Sequence, residues 1–338
     1  MNLIYRFIQI NLRWYYTIFF KKVITSGIDN IPENSSVIFA VNHQNTVIDA
    51  LTTGFQLKKE LFFLVKSDAF KGKIVKFIFN VLKLIPIYRK SDNNGNPFIN
   101  NKKTFSLCCE ALAKKKQILI FPEGRSTARH LLTPVKKGVA RIAIQAIDED
   151  YVKELFIVPV IISYEIHFIP NNMLWINYLP PIKVTKNSNY NFNTLTHELE
   201  SKMQNATVTL PADINIINSH FNNKGNNKSE YSNEEIDLKA SYFSQLKYKK
   251  KTMLLIHILF KPYEFLIKRV LKFVNDEDYH LSIVLGLSLM IFIGQFIIWI
   301  TLSIIFWSSI GTLLLVMGII FSTLYLIWVK RFDQIKFN

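Results

Sequence analysis

The sequence predicts an α/β fold, a mixed open sheet flanked by helices, followed by a C-terminal transmembrane helical hairpin. Three observations carry that expectation. Short β-rich runs alternate with helical ones between Ser35 and Lys186, the pattern of strands joined by helical crossovers. From Leu281 to Val329 no side chain is charged, a run far longer than the about 20 apolar residues one crossing needs. The chain has 338 residues, 49% of them hydrophobic, enough to bury one sizeable domain with appendages, or two domains.

Strands are expected at "SSVIFAV" (35–41), "LFFLV" (61–65), "QILIF" (117–121) and "LFIVPVIISY" (155–164), each an apolar or β-branched run bounded by polar residues. Helical patterns fall between them, near 45–57, 70–83, 98–115 and 135–148. The β-like runs "MLWINYL" and "PIKVT" extend the sheet beyond Pro170. A main domain over 25–215 follows, with "NTLTHELESKMQNA" as a late helix.

The flanks differ in kind. Over 1–24, apolar residues at near-helical spacing are interleaved with Arg6, Arg13, Lys21 and Lys22. There is no small-residue cleavage site and Arg13 interrupts any spanning run, which suits an interfacial amphipathic helix with aromatic anchors, or a packing helix. A polar connector occupies 216–249, including the low-complexity "NNKGNNKSEYSNEE". Over 250–275 lysines recur beside an apolar stripe and Pro262 is expected to break or kink the helix. Such a segment reads as basic membrane-surface helices, or as a helix packed back on the domain. The uncharged run divides into spans at 281–304 and 309–329 around "WSSIGT". Lys268, Arg269 and Lys272 before it, and Lys330, Arg331 and Lys336 after it, place both ends, and the domain upstream, on the cytoplasmic side.

The charge balance is lopsided, 41 Lys plus Arg against 25 Asp plus Glu, a net +16, which calls for an anionic partner: a phosphate-bearing substrate, a membrane surface or nucleic acid. Nucleic-acid binding accounts for the charge but not for the hairpin, and no recognition motif supports it. Cys108 and Cys109 are adjacent and lack metal-ligand spacing, so neither zinc nor a disulfide framework is expected.

Chemistry-bearing residues gather in a few loops. In "NHQNTVIDA", His43 follows a strand and precedes a helix, a position where ligands meet open α/β sheets. Asp49 lies six residues on, too far around a continuous helix to share a face with it. The two meet only if His43 sits in the loop and Asp49 in the helix's first turns; then the carboxylate fixes the imidazole tautomer and frees the other nitrogen to take a proton. Taken alone, such a pair is more often structural than catalytic. In "ILIFPEGRSTAR" a strand ends at Phe121 and presents Glu123, Gly124, Arg125 and Ser126 together. Gly124 permits close backbone approach and Arg125 offers a planar fork to phosphate, while Glu123 is expected to orient Arg125 or hold a substrate hydroxyl. Arg89 follows the apolar run "LIPIY", and "PVKKGVARIA" sets Lys136, Lys137 and Arg141 at a helix start.

Together these blocks resemble the PlsC-type glycerolipid acyltransferase superfamily: "NHQNTVID" its His and Asp block, "IPIYRK" its arginine block, "FPEGRS" its Glu-Gly block and "IVPVII" its following apolar strand, in the family's order. The resemblance covers about residues 25–185. Five residues, Gln44 to Ile48, separate His43 from Asp49, one more than the family's commonest spacing. The longer spacer and the run "LLTPVKKGVARIA" look like the subgroup similar to the yeast-type glycerol-3-phosphate and dihydroxyacetone-phosphate acyltransferases.

The resemblance implies an O-acyltransferase of phospholipid biosynthesis that moves a fatty acyl group from acyl-CoA or acyl carrier protein to lysophosphatidate or glycerol-3-phosphate, with no cofactor beyond that co-substrate. It implies His43 as general base, Asp49 as its orienting acid, and Arg89, Glu123, Gly124, Arg125 and Ser126 around the acceptor. No metal is expected. The implied partners are the lipid bilayer, a phosphorylated glycerolipid acceptor and the acyl donor. Two rivals stay open: another acceptor, such as an amino-acid-based or remodelled lysolipid, and an inactive membrane-binding scaffold.

Overall fold

The computed structural model describes residues 5–6, 9–10, 13, 19–54, 56–57, 59–70, 72–89, 97–126, 132–164, 173–208, 250–271, 280–306 and 309–329. The chain forms two compact units, one holding the sheet and its helices and the other the C-terminal helices.

In the first unit the strands are β1 (Lys22–Ser26), β2 (Val37–Val41), β3 (Leu61–Lys66), β4 (Leu84–Ile87), β5 (Gln117–Ile120), β6 (Glu154–Tyr164), β7 (Met173–Tyr178) and β8 (Ile182–Thr185). The helices are α1 (Thr46–Gly54), α2 (Lys73–Val81), α3 (Pro97–Ala113), α4 (Gly138–Asp148) and α5 (Phe192–Val208). The sheet order is β1-β7-β6-β2-β5-β3-β4, with β8 also on β6. From β6 to β4 all neighbours are parallel, whereas β7 and β8 run antiparallel to β6. The sheet is therefore mixed, as expected.

Parallel strands covered on both faces read as continuous apolar runs, and every residue of β2, "VIFAV", is buried. Ile38 and Ala40 join Ile118, Cys108, Leu112, Ile142, Leu195 and other residues of α3, α4 and α5 in one core. On the alternate positions of β2, Phe39 meets Tyr178 edge-to-face at 6.1 Å. Cys108 and Cys109 are buried packing residues of α3, and burial pushes the Cys109 thiol up to about 12.

Pro159 lies inside β6, where a central strand ordinarily excludes proline. It falls between the residues paired with β8, which end at Ile157, and those paired with β7, which begin at Val160. Its carbonyl accepts from Leu179 N on that same edge (2.9 Å), so the missing N–H coincides with the change of partner.

Two strands escape the sequence reading. β4, anticipated only as a short apolar run, is the edge of the parallel sheet, and β1 pairs with β7. The second corrects the 1–24 helix: Lys22, Val23 and Ile24 are strand. Other parts of 1–24 lie outside the described residues, but Tyr5 and Gln9 are buried, with Gln9 Nε2 donating to Leu57 O (2.8 Å) and Leu61 N donating to the Tyr5 hydroxyl (3.2 Å).

The second unit contains α6 (Lys250–Leu271), α7 (His280–Ile305) and α8 (Ser309–Val329). The connector at 216–249 lies outside the described residues. Over Gly286–Ile305 and Ile310–Ile327 the last two helices are long and apolar enough to cross a membrane, with mean hydropathy 2.2 and 2.3. They pack on one another: a side chain at Gly318 would meet Trp299, whose ring lies 6.3 Å from Phe321, and Tyr325 Oη donates to Ser288 O (3.1 Å). Pro262 does not break α6, which continues through it. The helix is held there by side chains on either side of the proline: Phe260 packs on Phe321 and Tyr325 at 5.0 and 5.4 Å, and Tyr263 on Tyr325 at 5.6 Å.

Candidate active site

The carboxyl ends of β2, β4, β5 and β6 lie on one edge of the parallel sheet, the edge where open α/β sheets present loops to ligands. His43 sits in the loop after β2 and Asp49 in the first turn of α1, the one arrangement that lets a six-residue offset close. His43 Nδ1 lies 2.9 Å from Asp49 Oδ2. The aspartate is fully buried while the His43 side chain keeps 11% exposure.

The carboxylate is held from all sides. Gln44 N and Asn45 N donate to Oδ2 at 2.7 Å each, and the Tyr164 hydroxyl donates to Oδ1 at 2.6 Å. The additional spacer residue is thus accommodated by a tight loop whose own amides cap the acid. A neutral imidazole that donates from Nδ1 to this carboxylate presents Nε2 as its acceptor nitrogen. The imidazole lies flat on the Phe121 ring, centroids 3.7 Å apart and planes 8° apart, which fixes its orientation. Asn42 anchors the loop's start: its side chain donates to Ile162 O (3.0 Å) and accepts from Ile162 N (2.6 Å), pinning the end of β2 to β6.

Glu123 corrects the expectation made for it. Its carboxylate is turned into the protein, 3% exposed, rather than toward Arg125. Oε1 accepts from His43 N (2.7 Å), and Oε2 accepts from Thr133 N (2.9 Å) and from the Thr133 hydroxyl. Burial raises its pKa, against the lowering effect of these donors. Glu123 therefore ties the histidine loop to the segment preceding α4.

The remaining residues of "PEGRS" lie in the tight turn after β5. Gly124 has φ +75°, in the left-handed region that glycine adopts without strain, and Gly124 N donates to Phe121 O (3.1 Å). A Cβ there would stand 2.7 Å from Lys136 Nζ. Arg125 is exposed and Ser126 half-buried. Lys136 N donates to Pro122 O (2.9 Å) and Val135 N to Glu200 Oε1 (3.1 Å), so the backbone carrying Lys136 is fixed on both sides. Partial burial, then the charges of Arg89 and Arg125, hold the Lys136 ammonium below the ordinary lysine range. Arg89, Arg125 and Lys136 thus form one cationic cluster. Arg89 leaves β4 beside Tyr88, whose backbone N–H donates to Asn101 Oδ1 (3.0 Å) and whose carbonyl accepts from Asn101 Nδ2 (2.8 Å).

Sequence reasoning does not find Thr133, Tyr164 or the stacking role of Phe121, and it places Lys136 only among the basic residues at a helix start. Lys136 had one usable signal, its place in the family-like run; the others depend on which strands become neighbours.

Residues 22–163 match the family model described as Acyltransferase. Among solved structures, the crystal structure of the 1-acyl-sn-glycerophosphate (LPA) acyltransferase, PlsC, from Thermotoga maritima is similar, at 18% identity and TM-score 0.46, over 62% of this chain and 80% of that one. No curated protein matches the chain. The matched span contains His43, Asp49, Arg89, Glu123, Arg125 and Lys136, and residues 22–163 form an acyltransferase domain.

Proposed function

We propose that the chain is a membrane-bound enzyme moving a fatty acyl group from acyl-CoA or acyl carrier protein to the free hydroxyl of lysophosphatidate or glycerol-3-phosphate. The observation that carries this reading is the His43–Asp49 dyad on the same sheet edge as the Arg89, Arg125 and Lys136 cluster.

The acceptor's phosphate is held by the cationic cluster, where Arg125 supplies a bidentate fork and Lys136 a point charge. His43 Nε2 takes the proton of the acceptor hydroxyl as its oxygen attacks the thioester carbonyl carbon. Asp49, hydrogen-bonded to Nδ1, stabilises the imidazolium that forms. Collapse of the tetrahedral intermediate breaks the carbon–sulfur bond, and the imidazolium returns the proton to the departing thiolate. Glu123 acts on this chemistry through the His43 backbone and Thr133, not by touching substrate. Gly124 and Ser126 line the acceptor side of the turn.

The apolar α7 and α8 support a membrane anchor. The cationic residues Lys268 and Arg269 near the end of α6, with Lys330 and Arg331 after α8, support a domain facing the cytoplasm.

Purified full-length protein supplied with one labelled acceptor at a time, read by intact-lipid mass spectrometry, tests the reading. Acylation of lysophosphatidate or glycerol-3-phosphate in preference to phosphate-free acceptors is expected. Acylation of phosphate-free acceptors alone would overturn it.

A further inference from the structure

Tyr164, the last residue of β6, lies 115 positions from Asp49 in sequence, yet its hydroxyl donates to Asp49 Oδ1 at 2.6 Å. Both side chains are fully buried. The opposite oxygen of the same carboxylate already serves His43 Nδ1 and the Gln44 and Asn45 amides. Among the described residues, Tyr164 is the side chain that satisfies Oδ1.

We infer that Tyr164 is a positioning residue for acyl transfer: it acts through Asp49, setting the carboxylate's rotation so that Oδ2 faces the imidazole. A carboxylate with one oxygen bound and the other bare can turn about its terminal bond, which is a soft torsion, whereas donors on both oxygens hold it. The geometry behind Tyr164 is suited to that task. Residues Val160–Tyr164 of β6 pair in register with Leu174–Tyr178 of β7, and Ile162, two residues before Tyr164, is clamped to Asn42 next to His43. One rigid strand end therefore fixes both the base's loop, through Asn42, and the acid, through Tyr164. The inference rests on the dyad mechanism above.

The test is steady-state kinetics of the full-length Tyr164→Phe protein, which keeps the ring and removes the donor. Losing one hydrogen bond to a charged group predicts a fall in kcat of about 10- to 100-fold. The KM values for acceptor and donor should be unchanged, since Tyr164 touches neither. In an Asp49→Asn background the same substitution should cost almost nothing further, because the group it acts through is already altered. An undiminished kcat in Tyr164→Phe would overturn the inference, as would an equal loss in the Asp49→Asn background. A fall in kcat could also come from a disturbed core, so 4-aminophenylalanine placed at 164 completes the test: its para N–H donor should restore most of the rate, and failure to do so in folded protein would refute the role. Were the dyad mechanism itself wrong, Asp49→Asn alone would retain activity, which separates the two failures.

Discussion

The two halves of the candidate site are built on opposite principles. Around Asp49 both carboxylate oxygens are bonded from within the protein, Oδ2 by Gln44 N, Asn45 N and His43 Nδ1 and Oδ1 by Tyr164 Oη. Around Arg125 and Lys136, by contrast, the described residues supply no ion pair, and the neighbouring charges have the same sign. A buried acid fully satisfied in the free protein is ready to act on a transition state without rearranging. A cluster of like charges gains most of its stabilisation when an anion arrives. Rate and affinity should therefore separate by region: substitutions at the dyad should lower kcat, and substitutions at the cationic cluster should raise the acceptor KM.

The largest effect is expected at His43. His43→Ala removes the base, and kcat should fall about 10²- to 10⁴-fold with acceptor KM little changed. The thermal unfolding temperature should fall only modestly, because the buried Asp49 Oδ2 loses its His43 partner but keeps the Gln44 and Asn45 amides. Asp49→Asn should fall toward the lower part of that range in kcat. It should also destabilise the domain, since the amide NH₂ would meet backbone donors, and a buried donor left unsatisfied costs about 1–3 kcal/mol. A raised acceptor KM with normal kcat in either variant would break the division between the two regions.

Next comes Arg125. Its loss removes charge-assisted bonds to phosphate, worth about 1.5–3 kcal/mol each, so Arg125→Ala should raise acceptor KM about 10- to 100-fold. Because Arg125 is exposed, wild-type acceptor KM should climb with ionic strength and the variant's should climb less. Lys136→Gln should act in the same direction but more weakly, with a signature in pH. A cation held below the ordinary lysine range by burial, and then by Arg89 and Arg125, loses its proton earlier as pH rises. Acceptor KM should therefore begin to increase at lower alkaline pH than an ordinary lysine would impose. That limb should vanish in Lys136→Gln, and its persistence would remove Lys136 from the anion site.

The same contrast governs how much was legible in sequence. The parallel core strands announced themselves as unbroken apolar runs, and β2, β3, β5 and β6 lie within a residue or two of their expected ends. β4 has four residues and contains Pro86, so neither length nor composition marks it as strand; its pairing with β3 and its contact with α3 decide it. β1 likewise follows directly on a segment with helical spacing and is claimed by pairing with β7. At the site, the meeting of His43 and Asp49 was readable because a loop at a strand end leading into a helix is the one setting that closes their six-residue offset. Glu123 was misread because a carboxylate beside an arginine invites an ion pair, whereas its bonds run to His43 and Thr133, 80 and 10 residues away. Tyr164 looks like the last apolar residue of a strand; only the β2–β6 register, which sets Val41 opposite Val160, shows how near β6 ends to Asp49.

The smallest effect, and the most discriminating for the division, is expected at Gly124. An alanine there is forced to keep φ near +75°, which costs about 1–2 kcal/mol for a residue bearing Cβ. In a domain of this size that lowers the melting temperature by about 2–4 °C per kcal/mol. The new methyl would also stand 2.7 Å from Lys136 Nζ, the tip of a flexible side chain, so the ammonium moves and the backbone need not. Gly124→Ala should accordingly raise acceptor KM only a few-fold, less than Lys136→Gln, and leave kcat alone. Glu123, the adjacent residue, is the one covalent neighbour through which the disturbance reaches His43. If kcat fell in Gly124→Ala while the melting temperature stayed high, Glu123 would be transmitting turn geometry to the base, and the two regions would have to be treated as one mechanical element.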